Sequence, residues 1–134
     1  AYAAQFAKLA GATVIGTCRR ADTAFLQSLG VDILIDVDAE RFEDVAQQVD
    51  VVLDTVGGDT LERSFAVVRP GGAIVSSVSA PDPQQSASHG IRGEFFYVSV
   101  DTPTLLLIAT LLDAGKIEPH VGDVLPLSQA RLAH

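Results

Sequence analysis

Apolar residues follow two alternating patterns along the chain. Tyr2, Phe6 and Leu9 recur at helical spacing ahead of Gly11, which is typical of a helix that ends on a glycine. The run that follows, residues 12–18, is short, β-branched and nearly all apolar, as in a strand buried within a parallel sheet. Strands of this kind are predicted at residues 12–18, 31–36, 50–58, 73–79 and 94–100.

Helical patterns lie between these strands. Asp22 is a suitable N-cap for a helix that Gly30 would end, and Thr102 with Pro103 would start a helix that ends at Gly115. Other helices are predicted at residues 40–48 and 60–68 and from Ser128, with a tight turn at residues 69–72 and a loop at residues 80–90. This alternation predicts an α/β fold with a doubly wound, mostly parallel sheet.

Composition narrows the class of protein. The chain has 134 residues, 48% of them hydrophobic and 19% charged, which suits one globular domain. Its 9 basic and 17 acidic side chains give a net charge of -8, which argues against a nucleic-acid surface and against polybasic attachment to a membrane. The longest apolar run, residues 105–112, is too short to span a bilayer, and no signal-peptide pattern is present. We therefore expect a cytoplasmic location.

The residues after the first predicted strand suggest a nucleotide site. In an open parallel sheet, ligands bind outside the carboxyl ends of the strands, and an NAD-binding unit usually places an acid there for the ribose 2′-hydroxyl. This chain instead has Thr17, Cys18, Arg19 and Arg20, with no acid before Asp22. Two guanidiniums beside a hydroxyl suit a 2′-phosphate. Spacing alone leaves open the alternative that both arginines are ordinary solvated loop residues.

The other strand ends carry weaker signals. Residues 54–58 would let the backbone approach a ligand closely, or would be a simple strand-to-helix turn. Phe95, Phe96 and Tyr97 would wall an apolar pocket, or would be ordinary core or interface residues. The single cysteine, Cys18, excludes an internal disulfide framework. His89, His120 and His134 lack partners at metal-ligand spacing, so we predict neither a catalytic residue nor a metal site.

Taken in order, five segments resemble a known family. They are QFAKLAGATVIGT, FLQSLGVDILID, FEDVAQQVDVVLDTVGGDTLERSF, VRPGGAIVS and LLDAGKIEPHVGDVLPLSQARLAH. Together they resemble the cofactor-binding domain of the medium-chain dehydrogenase/reductase superfamily, and most closely its zinc-independent quinone oxidoreductase-like branch. The resemblance implies a Rossmann-like domain that binds NADPH, in an enzyme that transfers hydride to a quinone, an enone or a related carbonyl.

The resemblance also implies three groups of cofactor-binding residues. The first lies near the 2′-phosphate, the second beside the ribose and nicotinamide, and the third on the strand that faces the carboxamide. These groups are Thr17, Arg19 and Arg20; Thr55, Val56 and Gly57; and Phe95, Phe96 and Val98. The chain departs from the family at Val37, where the family often has a tyrosine close to the adenosine.

The family pattern further implies that residues 1–134 form an incomplete dinucleotide-binding domain. In the family, a strand and a glycine-rich loop precede the QFAKLAGA helix, and a separate catalytic domain completes the enzyme. The family's first strand would lie between the strands at residues 12–18 and 50–58. We therefore expect either that those two strands pair directly or that the chain oligomerises. The strand at residues 94–100 is the expected edge of a homodimer. The chain alone is expected to be inactive.

Two other interpretations remain. VRPGGAIV is similar to a segment of S-adenosylmethionine-dependent methyltransferases, although those folds usually place an acid where Thr17–Arg19 stand here. Alternatively, the chain is a non-catalytic fragment or an interaction domain that keeps a relict cofactor cleft.

Overall fold

The computed structural model describes residues 1–133, so His134 lies outside the described residues. It confirms an α/β fold in which helices alternate with parallel strands. The strands are β1 (Ile15–Cys18), β2 (Ile33–Asp36), β3 (Val49–Asp54), β4 (Val68–Ser76) and β5 (Arg92–Phe95). The α-helices are α1 (Tyr2–Leu9), α2 (Thr23–Ser28), α3 (Phe42–Val45), α4 (Gly58–Ser64), α5 (Pro83–His89), α6 (Thr102–Asp113) and α7 (Ala130–Ala133). Short 3-10 turns precede α2 and α7, at Arg20–Asp22 and Leu127–Gln129.

The strands form two parallel sheets, β1-β2 and β3-β4-β5. Within the described residues β1 and β3 are not paired with each other, so the expected direct pairing across this gap is wrong for the chain as it stands. The other expected outcome, oligomerisation, stays a prediction. The gap lies between the two strands that the family resemblance singled out.

Strand β1 starts later than the apolar run predicts, because Asp32 reaches the chain ahead of it. The backbone amide of Val14 donates to the Asp32 carboxylate at 2.7 Å, and Lys8 Nζ donates to both oxygens of the same carboxylate at 2.9 Å. Those hydrogen bonds, first that from Val14 and then that from Lys8, hold the pKa of Asp32 below its ordinary value. The Asp32 side chain thus takes the amide of Val14, while the Val14 carbonyl accepts from the backbone amides of Asp32 and Ile33.

Strand β4 begins with a bulge where a tight turn was predicted. Val68 pairs with Val49, and the next pair joins Ala73 to Val51, so residues 69–72 bulge opposite a single residue, Asp50. A Cβ at Gly72 would lie 2.7 Å from the Asp50 carbonyl oxygen, so only glycine fits this approach.

The predicted loop at residues 80–90 is wrong, because α5 occupies most of it. The Asp82 carboxylate accepts hydrogen bonds from the amides of Gln84 at 2.6 Å and Gln85 at 3.2 Å. Pro83 follows this cap, and Gly90 ends the helix in the left-handed conformation at φ 65°. The start and stop signals were present in the sequence, but the polar helix between them has no apolar stripe.

The cap of α6 also differs from the prediction by one residue. Asp101, and not Thr102, is the N-cap, since its carboxylate accepts hydrogen bonds from both the amide and the hydroxyl of Thr104 at 2.8 Å. Pro103 therefore stands at the second helical position.

One apolar cluster lies under both sheets. Its buried members come from β2, from the helices and loops around α3 and α4, from β4 and from the residue before β5: Ile35, Ala46, Leu61, Phe65, Val67, Val68, Ile74 and Ile91. Ile15 of β1 and Val49 and Val52 of β3 pack against this cluster. The shared core therefore joins the sheets through side chains where no backbone pairing does.

Two polar contacts fasten the outer elements. Arg63 of α4 donates to both carboxylate oxygens of Glu43 at 2.9 Å and stands 4.8 Å from the centre of the Phe42 ring, which ties α4 to α3. Burial acts to raise the pKa of Glu43, but hydrogen bonds from its own amide, Arg63 and Arg41 outweigh it and lower the pKa to about 2. In a separate contact, the buried Gln5 amide exchanges hydrogen bonds of 3.0 and 2.7 Å with the backbone of Glu118.

Candidate functional site

The three predicted groups follow or end three strands. Within each sheet the strands run parallel, so their carboxyl ends share an edge. The first group stands at the end of β1, in one sheet; the second follows β3 and the third ends β5, in the other. In open α/β sheets this edge is where ligands bind.

The group at the end of β1 presents two positive side chains to solvent. Thr17 is exposed within β1, and Arg19 precedes the 3-10 turn at Arg20–Asp22. The Arg20 side chain is 89% exposed, with Nε 3.5 Å from Asp36 Oδ2 at the end of β2. An ion pair this exposed contributes little, so it does not fix the Arg20 guanidinium in place. Both arginines are accessible to an anionic ligand.

The group after β3 is a tight turn built on glycine. Thr55 and Val56 are exposed, whereas Gly57 is buried. Gly57 has φ 74° and ψ -167°, a conformation that side chains rarely adopt. A Cβ at this position would lie 2.7 Å from Val78 Cγ1, so the turn after β3 touches the loop after β4.

Sequence reasoning missed the pair of residues beneath this contact. Asp54 and Ser76 end β3 and β4 side by side, and Ser76 Oγ donates to Asp54 Oδ2 at 2.6 Å. Burial acts to raise the pKa of Asp54, but hydrogen bonds from Ser76 and from the amides of Gly57 and Val56 outweigh it, so the pKa lies below its ordinary value. The position of Asp54, two and three residues before the residues that carry those amides, is a turn signal that can be read from the sequence. Its pairing with Ser76 depends on strand register and was not visible.

The third group only partly matches the prediction. Strand β5 ends at Phe95, so Phe96 and Val98, predicted on that strand, lie beyond it. The amide of Phe96 still donates to the carbonyl of Ser76 at 3.2 Å, while Val98 is 81% exposed. The Phe95 and Tyr97 rings meet edge to face with centroids 4.7 Å apart. Past residue 96 the backbone therefore leaves the sheet.

The two described histidines are exposed and lie beside aromatic rings. The His89 ring lies 5.7 Å from the Phe65 ring, and the His120 ring lies 4.1 Å from the Phe25 ring. Among residues 1–133, no group of three or more His, Cys, Asp or Glu side chains is placed to hold a metal ion. No helix in that range is long and apolar enough to cross a membrane.

Comparison with known proteins identifies relatives. A protein-family model described as zinc-binding dehydrogenase matches residues 29–134. A 2-methylene-furan-3-one reductase of Solanum lycopersicum is 33% identical over 86% of this chain and 27% of the relative. A quinone oxidoreductase of Pseudomonas aeruginosa is 30% identical over 99% of this chain and 47% of the relative.

A solved structure is similar as well. The quinone oxidoreductase from Coxiella burnetii superposes with a TM-score of 0.88 at 29% identity, over 98% of this chain and 43% of that protein. The chain thus spans less than half the length of each of these three proteins.

Proposed function

The chain belongs to the zinc-binding dehydrogenase family of oxidoreductases, and from that premise we propose that it is the nucleotide-binding domain of an NADPH-dependent enzyme that reduces a quinone, an enone or a related carbonyl. The observation that carries the choice of NADPH is the pair of exposed guanidiniums, Arg19 and Arg20, at the end of β1, where NAD-binding units usually have an acid. The names of the quinone oxidoreductase and the furanone reductase support the class of substrate.

In this proposal the residues of the chain bind and orient the cofactor. Arg19, Arg20 and Thr17 would hold the 2′-phosphate, and the turn of Thr55, Val56 and Gly57 would pass the ribose and nicotinamide. In that turn, glycine at position 57 leaves room for Val78 where a Cβ would lie. Phe95 and Phe96 would stand beside the nicotinamide. The cofactor, when bound, supplies the hydride. We assign no acid or base to these residues, and no step to a metal ion.

We also propose that residues 1–134 are one incomplete domain of the enzyme and that a further strand fits between β1 and β3. In the described residues β1 pairs only with β2, and β3 pairs only with β4, so each offers an unused edge. Val51 and Leu53 of β3 are exposed, as expected for a strand that lacks cover. The substrate pocket would then lie largely on another domain.

The test is cofactor titration of the full-length protein that contains this chain. We expect Arg19→Ala with Arg20→Ala to weaken NADPH binding by about tenfold to a hundredfold, because charge-assisted hydrogen bonds to the phosphate are lost. NADH lacks that phosphate, so its affinity should stay within about twofold. The change in reduced-nicotinamide fluorescence on binding measures both affinities.

Arg92→Ala is the matched control, since Arg92 is an exposed arginine at the opposite, amino end of β5. Equal loss in the control, or no preference for NADPH in the unaltered protein, would contradict the assignment of the two arginines. Binding of S-adenosylmethionine in place of NADPH would favour the methyltransferase interpretation. Binding by the full-length protein but not by residues 1–134 alone would support the incomplete-domain proposal.

The proposal includes a homodimer formed through the free edge of β5. In the described residues β5 pairs only with β4, and the segment after it exposes Tyr97, Val98 and Val100. An open strand edge followed by apolar side chains readily pairs with another copy. We expect Val98→Lys to convert the dimer to a monomer in sedimentation velocity, whereas Val45→Lys, on α3, should leave it a dimer. A monomeric unaltered protein would refute this part of the proposal.

A further inference from the structure

We propose that Asp54 and Ser76 act as a positioning pair, which sets the loops under the nicotinamide half of the cofactor and leaves the adenosine half untouched. This inference rests on the proposed function, because it assumes that a dinucleotide lies across the carboxyl ends of the two sheets. It assigns a role to two buried polar side chains that none of the three predicted groups includes.

The pair is a single hydrogen-bonded unit. Asp54 and Ser76 are register partners at the ends of β3 and β4, with 4% and 0% of their surface exposed. The Ser76 hydroxyl has one hydrogen, and it donates that hydrogen to Asp54 Oδ2 at 2.6 Å. The carboxylate can only accept, so the direction of this bond is fixed.

Each member then holds the loop that follows its own strand. Asp54 Oδ1 accepts from the amides of Val56 at 3.1 Å and Gly57 at 2.9 Å. Ser76 Oγ accepts from the amides of Val78 at 3.1 Å and Ser79 at 3.3 Å. Five hydrogen bonds therefore connect the turn after β3 to the loop after β4 through two side chains.

Backbone hydrogen bonds and one packing contact extend this hydrogen-bonded unit. The Ser77 amide donates to the Asp54 carbonyl at 3.1 Å, and the Phe96 amide donates to the Ser76 carbonyl at 3.2 Å. Val78 packs against Gly57, where a Cβ would be only 2.7 Å away. The segments that follow β3, β4 and β5 are therefore fixed relative to one another.

The arginine site lies outside this unit. Thr17 lies in β1 and Arg19 and Arg20 follow it, and β1 belongs to the other sheet and is not hydrogen-bonded to β3 within the described residues. In doubly wound folds the ribose of the adenosine is held in the first half of the sheet, and the dinucleotide crosses to the second half. Loosening Asp54 and Ser76 should therefore weaken contacts with one half of the cofactor only.

The experiment compares NADPH with adenosine 2′,5′-bisphosphate, which lacks the nicotinamide half, in the full-length protein. For Ser76→Ala we expect NADPH to bind about tenfold more weakly, because the Val78 and Ser79 amides lose their acceptor and the Asp54 carboxylate loses the hydroxyl that donates to it. The affinity for adenosine 2′,5′-bisphosphate should change by less than about twofold, since the residues around β1 are untouched. Asp54→Asn, which puts an amide NH2 against either Ser76 Oγ or the Val56 and Gly57 amides, should give the same pattern.

Ser77→Ala is the matched control, because Ser77 is the next serine along and its exposed side chain makes only a 3.4 Å contact with the Asp54 carbonyl. Hydrogen exchange adds a readout that needs no cofactor: the amides of Val56, Gly57, Val78 and Ser79 should exchange faster in Ser76→Ala and not in Ser77→Ala.

Four outcomes would overturn the inference. Equal losses for both probes in Ser76→Ala would indicate general destabilisation, and unchanged exchange at the four amides would show that the pair does not hold the loops. If the unaltered protein binds neither probe, the proposed function fails and the inference fails with it. If it binds both probes but Ser76→Ala binds both as tightly as before, the inference alone is wrong.

Discussion

Replacing Phe65 with alanine is expected to lower the free energy of unfolding by about 3–5 kcal/mol, the usual cost of removing a buried aromatic side chain. Phe65 is 2% exposed, belongs to the cluster that joins the two sheets, and is the largest side chain that the fold encloses fully. Its removal leaves a cavity that β4, held by its pairs on both sides, cannot close. Urea titration followed by far-ultraviolet circular dichroism measures the loss.

Phe6→Ala is the control for this prediction. Phe6 lies on α1 with 38% of its surface exposed, so the same change removes fewer buried contacts there. We expect a loss of about 1 kcal/mol or less at Phe6, as for a side chain that keeps much of its contact with water. Similar losses at the two positions would mean that the shared cluster does not carry the stability of this fold.

The contrast between Phe6 and Phe65 shows what the apolar pattern could and could not predict. Helical spacing correctly located α1, yet the residue of α1 that the fold buries is Gln5. Gln5 is buried because its amide pairs with the backbone of Glu118, a residue 113 positions away. Periodicity reports which face a helix turns inward on average, and it carries no information about a partner that far along the chain.

All five strands were located, because short β-branched runs leave few alternatives in a buried sheet. Their bounds were less accurate, since β5 ends at Phe95 although a strand was predicted at residues 94–100. The other errors were of another kind. Residues 69–72 bulge within β4 because Gly72 admits the Asp50 carbonyl, and α5 forms on caps with no apolar stripe. Both features depend on local backbone chemistry, which a search for hydrophobic periods passes over.

The candidate site could likewise be predicted only in part. Its three groups could be located from the sequence, because the carboxyl ends of parallel strands are known once the strands are known. The pairing of Asp54 with Ser76 could not, since it requires the register between two strands separated by α4. Family membership now favours the oxidoreductase interpretation over the methyltransferase one, and the choice of NADPH stays a proposal.

We expect Gly57→Ala to lower the free energy of unfolding more than any other substitution that adds one methyl group to the loops of the site. The φ of 74° with ψ of -167° is a region open essentially to glycine, and forcing alanine into it costs about 1–3 kcal/mol. The new Cβ would also stand 2.7 Å from Val78 Cγ1, well inside contact distance. Overpacking of this kind adds a further cost of about 1–3 kcal/mol.

Gly58→Ala is the matched control, because the next residue also has a positive φ, 55°, but has no atom within 4 Å of its added Cβ. Gly58→Ala should lower the free energy of unfolding only by the cost of a left-handed backbone at alanine, about 1–2 kcal/mol. Val78→Ala added to Gly57→Ala should recover the crowding part of the loss and leave the backbone strain. If that second change recovers nothing, or if Gly58→Ala costs as much as Gly57→Ala in urea titration, then the contact between the loops after β3 and β4 does not constrain Gly57.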